Sequence, residues 1–285
     1  MINDVNKPLL YCCPVCREGL SVDGRSLKCI NRHSYDIAKE GYVNLLLANQ
    51  KRSQEPGDNQ KMVAHRRQFF ATGLYEPLSD KINRIVTSFL AEQRGESSFD
   101  LLDSGCGEGY FLHRLNAILS AGSLPYTLWG ADISKFAVKV AARRDKSVKW
   151  AVASSYDLPI LPDSVDFILN SMAPFSHEEF ARILKRNGRV LIVTPGPEHL
   201  FSLRKQIYET PQQHDKPSMT LTGFNFVDKY HVQFNRTLAN EAIVNLFVMT
   251  PYSWNASRLT REKIMALQQL NVEIDFVLTL FAKED

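Results

Sequence analysis

The chain has 285 residues, of which 44% are apolar and 23% are charged, and its formal net charge is +3. This composition is typical of a globular protein with one large domain and one small domain. No apolar run approaches the length that a membrane span requires, and the first residues lack the pattern of a secretory signal. We therefore expect a cytoplasmic protein that does not have a membrane as a partner.

Four potential metal ligands are crowded into the first 33 residues. Cys13, Cys16, Cys29 and His33 follow the pattern C-x2-C, then C-x3-H, which suits a tetrahedral zinc ion. We predict one structural Zn²⁺ per chain, because four protein ligands leave no open position for catalysis. The alternatives are reduced core cysteines or two disulfides. Cys12 is interpreted as a packing residue, because Cys13 leaves the usual two-residue gap to Cys16.

The positive charge is concentrated near the beginning of the chain. Residues 1–70 contain 11 Lys and Arg against 7 Asp and Glu, whereas residues 71–285 contain 23 against 24. We predict a zinc-binding RNA-recognition module at 1–45 and a basic linker at 46–75, with a turn at Pro56-Gly57-Asp58 and a helix at 61–70. Cations arranged in this way can contact phosphates without reading sequence; the alternative is an ordinary solvated face. The linker cations considered for this role are Lys51, Arg52, Arg66 and Arg67.

A glycine-rich turn follows the first buried strand of the larger domain. The apolar run at 99–102 predicts a strand, and the apolar spacing over 110–121 predicts a helix. Between them lies Asp103-Ser-Gly-Cys-Gly-Glu-Gly109, with glycines at 105, 107 and 109. Glycine permits a sharp turn and a close approach of a ligand to the backbone, and helix N–H groups point at that ligand. We therefore predict a cofactor site formed by Asp103, Gly105, Gly107 and Gly109.

The elements that follow predict a doubly wound parallel sheet. Asp132 closes the second strand of this sheet, where its carboxylate is placed to accept hydrogen bonds from a ribose diol. The sequence predicts a helical insertion at about 197–272 that recognises the substrate, with no regular element at 211–235, and a final strand at 273–280. Strands are expected near 99–104, 127–132, 148–153, 165–171 and 189–194, and helices near 197–210, 240–250 and 261–269.

This order of elements resembles the class I S-adenosylmethionine (SAM) methyltransferases. The glycine turn, the strand that ends in Asp132, the segment Ser154-Ser-Tyr-Asp-Leu-Pro159 and the segment Lys185-Arg-Asn-Gly-Arg189 occur in the order that this fold has. The resemblance implies an α/β, Rossmann-like methyltransferase domain at 76–285 that binds SAM.

The whole chain resembles one family more closely, the bacterial 23S rRNA guanine-N1 methyltransferases of the RlmA type. The resemblance implies methyl transfer from SAM to N1 of a guanine in a domain II hairpin of 23S rRNA, at position 745 in the Gram-negative branch, which is the closer match. A sister branch acts on a neighbouring guanine and confers macrolide resistance. The resemblance rests on the metal motif, Asp36 to Leu46, Pro56-Gly57-Asp58, Arg66 to Phe70, Asp103 to Tyr110 and Thr194 to Leu200.

The same resemblance implies the roles of individual residues. It assigns zinc to the four ligands named above and SAM contacts to Tyr75, Gly107, Glu108 and His199. Without it, Tyr75 would be interpreted as an aromatic residue at a helix start, and His199 as a capping or surface residue. The segment 170–175 departs from the family pattern before Ala173-Pro174, at the sheet edge that faces the substrate base.

Two other functional hypotheses stay open from the sequence. In the first, the chain methylates a small molecule, because the sheet core also resembles quinone and sterol methylases. In the second, the chain is a non-catalytic, SAM-dependent RNA-binding scaffold. No residue pattern identifies the group that accepts the guanine N1 proton; Asp157 and His177 lie near strand ends, but each is more often a cap or surface residue. A homodimer is compatible with the sequence.

Overall fold

The computed structural model describes residues 9–51, 53–93, 98–214, 219–254 and 256–284. A small antiparallel sheet near the N-terminus has the order β1-β2-β3. Its strands span Ser21–Asp23 (β1), Ser26–Lys28 (β2) and Ser34–Asp36 (β3).

The rest of the described chain is built around an eight-stranded sheet. Its strands are Tyr42–Asn44 (β4), Phe99–Ser104 (β5), Tyr126–Asp132 (β6), Lys149–Val152 (β7), Val165–Ser171 (β8), Leu184–Pro195 (β9), Phe224–Ala239 (β10) and Gln269–Lys283 (β11). The order across the sheet is β10-β11-β9-β8-β5-β6-β7-β4. Strands β4 to β9 run parallel, whereas β11 is antiparallel to both β9 and β10.

Eight α-helices accompany these strands in the described residues. They span Gln60–Ala71 (α1), Glu76–Glu92 (α2), Tyr110–Leu119 (α3), Lys135–Arg144 (α4), His177–Ile183 (α5), Phe201–Ile207 (α6), Asn240–Met249 (α7) and Arg258–Ala266 (α8). One buried apolar cluster covers each face of the main sheet. This is the α/β architecture of a class I methyltransferase, as the sequence predicts.

The strand predictions for the parallel core are confirmed, but the prediction for residues 211–235 is wrong in its second half. Strand β10 begins at Phe224 and runs for 16 residues beside β11. Pro211, Pro217 and Gly223 all precede this strand, so these breakers do not interrupt it. The strand lies at the edge of the sheet, where most of its side chains are exposed, and its apolar signal is therefore weak. The insertion expected to be helical thus contains a long strand.

The N-terminal segment is built into the main sheet. Strand β4 pairs in parallel with β7, and the Tyr11 ring packs edge-on against Trp129, with 5.0 Å between the ring centroids. The backbone N–H of Cys12 donates to the carbonyl oxygen of Pro159 at 2.9 Å. Buried residues of the zinc module therefore belong to the same apolar cluster as residues of β5 to β8.

Within the described residues, none of the helices combines the length and the apolar character needed to cross a lipid bilayer.

The Tyr11 side chain allows a test of this packing. Its ring is buried against Trp129, but its hydroxyl group has no hydrogen-bond partner among the described residues. We expect Tyr11→Phe to leave the free energy of unfolding unchanged or raise it by about 1–3 kcal/mol, because a buried unpaired polar group is removed. Tyr11→Ala should lower it by about 3–5 kcal/mol, because a cavity replaces the ring. Urea denaturation followed by tryptophan fluorescence measures the free energy of unfolding of both variants. A clearly lower free energy of unfolding in Tyr11→Phe would show that its hydroxyl group has a stabilising partner.

Candidate active site and zinc site

The four predicted metal ligands converge on one point. The Sγ atoms of Cys13, Cys16 and Cys29 lie 3.4, 3.5 and 3.4 Å from Nδ1 of His33, and the Sγ atoms of Cys16 and Cys29 are 3.7 Å apart. In a tetrahedral zinc site the Zn–S bonds are about 2.3 Å long and the Zn–N bond is about 2.0 Å long. Two ligand atoms at these distances from the metal lie about 3.4–3.8 Å from each other. The donor set and its spacing therefore fit the structural zinc ion that the sequence predicts.

Two turns bring the ligands together. In the first turn, the N–H of Arg17 donates to the carbonyl oxygen of Cys13 at 2.8 Å. In the second turn, the N–H of Cys29 donates to the carbonyl oxygen of His33 at 3.2 Å. The hydroxyl group of Tyr35 lies 3.1 Å from Cys13 Sγ, an outer contact of the kind that orients a metal ligand. The buried Cys12 is outside the ligand group, which agrees with its interpretation as a packing residue.

The glycine turn between β5 and α3 has a left-handed backbone at each glycine. The φ angles of Gly105, Gly107 and Gly109 are 85°, 54° and 80°. A Cβ atom at Gly105 would lie 2.2 Å from Ala173 Cβ, and one at Gly109 would lie 2.7 Å from the Trp150 ring, so both positions are closely packed. Gly107 differs, because a Cβ atom there would have only Arg66 within 4 Å, at 3.8 Å. Space for a ligand therefore opens above Gly107.

Asp132 holds this turn from the end of the neighbouring strand. Its Oδ2 accepts a hydrogen bond from the N–H of Gly107 at 2.9 Å, and its Oδ1 accepts one from Ser134 at 2.7 Å. Partial burial raises the pKa of the Asp132 carboxyl group. Asp132 is only partly buried, and a carboxylate oxygen that accepts one hydrogen bond can accept another, so a ribose contact stays the prediction for this residue.

Asp103 is the buried acid of the site. Its side chain is only 1% exposed, and neither carboxylate oxygen has a hydrogen-bond partner among the described residues. Burial, together with the charge of Asp132, raises its pKa to about 8. An unpartnered buried carboxyl group needs a donor or a cation, and SAM carries an α-ammonium group. The site therefore fits the cofactor that the resemblance implies.

The Glu108 side chain is engaged by helix α4. Its carboxylate is buried and pairs with the guanidinium of Arg144 through two contacts, of 3.0 and 2.8 Å. Burial raises the pKa of Glu108 to about 7, against the opposing effect of Arg144. A contact between this residue and SAM would therefore fall to the Glu108 backbone, while its side chain anchors the turn to α4.

The structure places Tyr75 and His199 in contact with the same ring, that of Phe276. The Phe276 ring lies 5.2 Å from that of Tyr75 and 4.3 Å from that of His199. Both residues are buried, and Nδ1 of His199 accepts the N–H of Asp275 at 3.3 Å. Burial lowers the pKa of His199 to about 3, so the imidazole is neutral at pH 7. Their contacts with SAM stay a prediction, since only the resemblance singles them out.

The turn at Pro56-Gly57-Asp58 was expected only as part of the linker, yet it covers the Asp132 end of the site. The Ser134 hydroxyl group donates to the carbonyl oxygen of Asp58 at 2.6 Å. Arg66 pairs with the Asp58 carboxylate and donates to the carbonyl oxygen of Met249 at 2.9 Å. The Arg66 guanidinium is thus held by the protein on one side, and its contact with phosphate stays a prediction. Lys51 and Arg67 are exposed, and Arg52 lies outside the described residues.

The end of β8 is the segment that the family resemblance places beside the substrate base. Met172, at φ 54°, is 43% exposed there, and the Ser171 hydroxyl group is buried without a partner among the described residues. Phe175 stacks on Phe180 at 5.2 Å. Two residues were considered as acceptors of the guanine N1 proton. Asp157 is paired with Arg17, and His177 contacts Glu178 at the surface.

Comparisons with known proteins agree with this geometry. The zinc-ribbon family model described as "RlmA, N-terminal" matches residues 11–54, and a "Methyltransferase domain" model matches residues 101–193. YxjB of Bacillus subtilis, provisionally named a 23S rRNA (guanine-N(1)-)-methyltransferase, is 29% identical over 94% of this chain and 96% of its own. A protein of Micromonospora griseorubida with the same provisional activity is 30% identical over 90% and 91%. The 23S rRNA (guanine(748)-N(1))-methyltransferase of Streptomyces fradiae is 31% identical over 85% of each chain.

For the metal site, we predict one zinc ion per chain in the wild type and none in Cys13→Ser, because three ligands no longer complete the tetrahedron. Cys12→Ser is the matched control, because it changes the adjacent thiol and should keep one zinc ion. Metal analysis of protein purified without chelator measures both variants. Loss of zinc in Cys12→Ser alone would show that the ligand register is wrong by one residue.

For Asp103, we predict that the stability of the ligand-free protein falls as pH rises from about 4 to about 8. The folded chain keeps a proton on this carboxyl group up to about pH 8, whereas the unfolded chain loses it near pH 3.9. Asp103→Asn should therefore be more stable than the wild type at pH 8 and lack this part of the pH dependence. Thermal unfolding at pH 5 and pH 8 measures the stability of both proteins. The same change in stability between these pH values in the wild type and in Asp103→Asn would contradict the prediction.

Proposed function

Because the chain belongs to the RlmA-type family of 23S rRNA guanine-N1 methyltransferases, we propose that it methylates N1 of guanine 745 in a domain II hairpin of 23S rRNA. The family is shown by relatives of about 30% identity that match most of both chains. The choice of position 745 rests on the sequence resemblance to the Gram-negative branch. Methylation at 748, the position named for the Streptomyces relative, is the second candidate.

The observation that best supports the reaction is the open glycine turn beside Asp103, a buried acid that has no hydrogen-bond partner in the described part of the chain. SAM supplies a methyl group bound to a sulfonium sulfur, and the chain has to hold this donor in line with guanine N1. We infer that Gly107 admits the donor, that Asp103 receives its ammonium group and that Asp132 receives its ribose. Tyr75, Phe276 and His199 form the apolar wall on the same side of the sheet as Asp103.

The target atom sets a second requirement. Guanine N1 lies on the edge that pairs with cytosine, so the base has to be unpaired and turned out of its helix before transfer. The carboxyl ends of β5 and β8 meet where the described surface carries Met172. We propose that the guanine enters there, between the donor and the end of β8.

The remaining contacts with RNA are assigned to the zinc module and the linker. Exposed cations of these segments include Arg25, Lys28, Lys39, Lys51 and Arg67. Phosphate contacts of this kind position RNA without specifying its sequence. The alternative function is methylation of a small molecule, which the resemblance of the sheet core to quinone and sterol methylases suggests. That function would give neither the exposed cations nor the zinc module a role.

A position-resolved assay tests the proposal. The purified protein would be incubated with SAM and a transcript of the domain II hairpin, and reverse transcription would locate the product, because an N1-methyl group blocks the pairing edge. We expect a stop at guanine 745 that is lost when this guanine is replaced by adenine. A stop only at 748 would support the second candidate, and labelling of a lipid extract but not of RNA would refute rRNA methylation.

Gly107 provides a test of the donor site. We expect Gly107→Ala to weaken binding of the product S-adenosylhomocysteine at least tenfold, because the methyl group occupies the space that the ligand needs. Gly24→Ala is the matched control: Gly24 has a similar φ of 62° and no atom within 4 Å of its Cβ position, but it lies in the β1–β2 turn. Calorimetric titration gives both affinities. Equal affinities in the two variants would place the donor elsewhere.

A further inference from the structure

The zinc turn touches a loop of the methyltransferase domain through Arg17. This residue follows Cys16 directly and has a left-handed backbone, with φ 63°. Its guanidinium forms an ion pair with Asp157 and donates to the carbonyl oxygen of Leu158 at 3.4 Å. The sequence separation of 140 residues shows that the contact joins distant parts of the chain.

The N-terminal segment and the linker make further contacts with this loop and with the residues that follow it. Gln50 donates through Nε2 to the other oxygen of Asp157 at 2.5 Å. The N–H of Leu161 donates to the carbonyl oxygen of Leu10 at 2.8 Å, and this bond continues the pairing of Cys12 with Pro159. The Asp157 carboxylate therefore receives one donor from the zinc turn and one from the linker.

The loop at 154–158 borders the donor site. It follows β7, whose end is joined to β6 because the N–H of Ala153 donates to the carbonyl oxygen of Asp132 at 3.0 Å. The Ser155 hydroxyl group donates to the carbonyl oxygen of Pro174 at 2.7 Å. The loop thus lies at the carboxyl ends of the parallel strands, where open α/β sheets bind their ligands.

We propose that Arg17 is a positioning residue for the methyl donor, because it holds the 154–158 loop against the donor site through Asp157. The folded zinc module then strengthens SAM binding in addition to any contact with RNA. This inference rests on the donor site assigned under Proposed function. Loss of the zinc module is therefore expected to weaken SAM binding.

The size of the effect follows from the exposure of the pair. The side chains of Arg17 and Asp157 are 44% and 38% exposed, and exposed ion pairs contribute modestly and are screened by salt. We expect Arg17→Ala to weaken binding of S-adenosylhomocysteine by about three- to fivefold at low salt, which corresponds to less than about 1 kcal/mol. The difference from wild type should shrink at 1 M salt.

The experiment measures affinity and zinc content together. Calorimetry with S-adenosylhomocysteine would compare the wild type, Arg17→Ala, Asp157→Asn and the double variant, and metal analysis would accompany each. Arg25→Ala is the matched control, an exposed arginine of the same module. We expect one zinc ion throughout, weaker binding in both single variants, no further loss in the double variant and wild-type affinity in Arg25→Ala. Arg17→Lys should restore part of the affinity.

Each outcome decides the proposal. Wild-type affinity in Arg17→Ala overturns it, as does fully additive weakening in the double variant. If Arg17→Ala loses zinc, Asp157→Asn decides: weaker binding with zinc retained supports the proposal, and unchanged binding overturns it. A wild-type protein that binds no S-adenosylhomocysteine would instead refute the donor site itself.

Discussion

The packing of one glycine turn against the end of β8 constrains the whole donor site. Gly105 lies so close to Ala173 that no side chain fits between them. Asp132, at the end of β6, accepts a hydrogen bond from the N–H of Gly107 and so holds the middle of the turn. These two contacts join three neighbouring parallel strands at their carboxyl ends. As a result, the middle glycine of the turn faces open space, and Asp103, the acid before the turn, is buried with no hydrogen-bond partner among the described residues.

The zinc module depends on the same sheet. Its apolar residues share a core with β5 to β8, and β4 extends the sheet beyond β7. A short metal-bound segment cannot bury much apolar surface alone, so both the metal and the sheet stabilise it. Binding of zinc and binding of SAM are therefore expected to influence each other across the loop at 154–158.

Sequence reasoning was most successful where the determinants are local. The zinc ligands follow from spacing on two short turns, and the core strands follow from apolar runs. Reasoning failed where long-range contacts decide the outcome. Strand β10 forms because β11 pairs with it, which the local sequence at 211–235 does not reveal. The ion pair of Glu108 with Arg144 and the contacts of Arg66 with Asp58 and Met249 likewise join residues far apart in the sequence, so no local pattern predicts them. The SAM contacts predicted for Tyr75 and His199 rest on the family resemblance alone. The contact of both residues with Phe276 of β11 was not predicted, because it joins distant parts of the chain.

The central claim is that the methyl donor lies over Gly107 with its ammonium group at Asp103. A crystal structure of the chain with S-adenosylhomocysteine tests this claim most directly. We expect the ammonium nitrogen within hydrogen-bond distance of Asp103, the ribose hydroxyl groups at Asp132 and the ligand in contact with the backbone of Gly107. A ligand bound at another edge of the sheet, with Asp103 still unpartnered, would contradict the account.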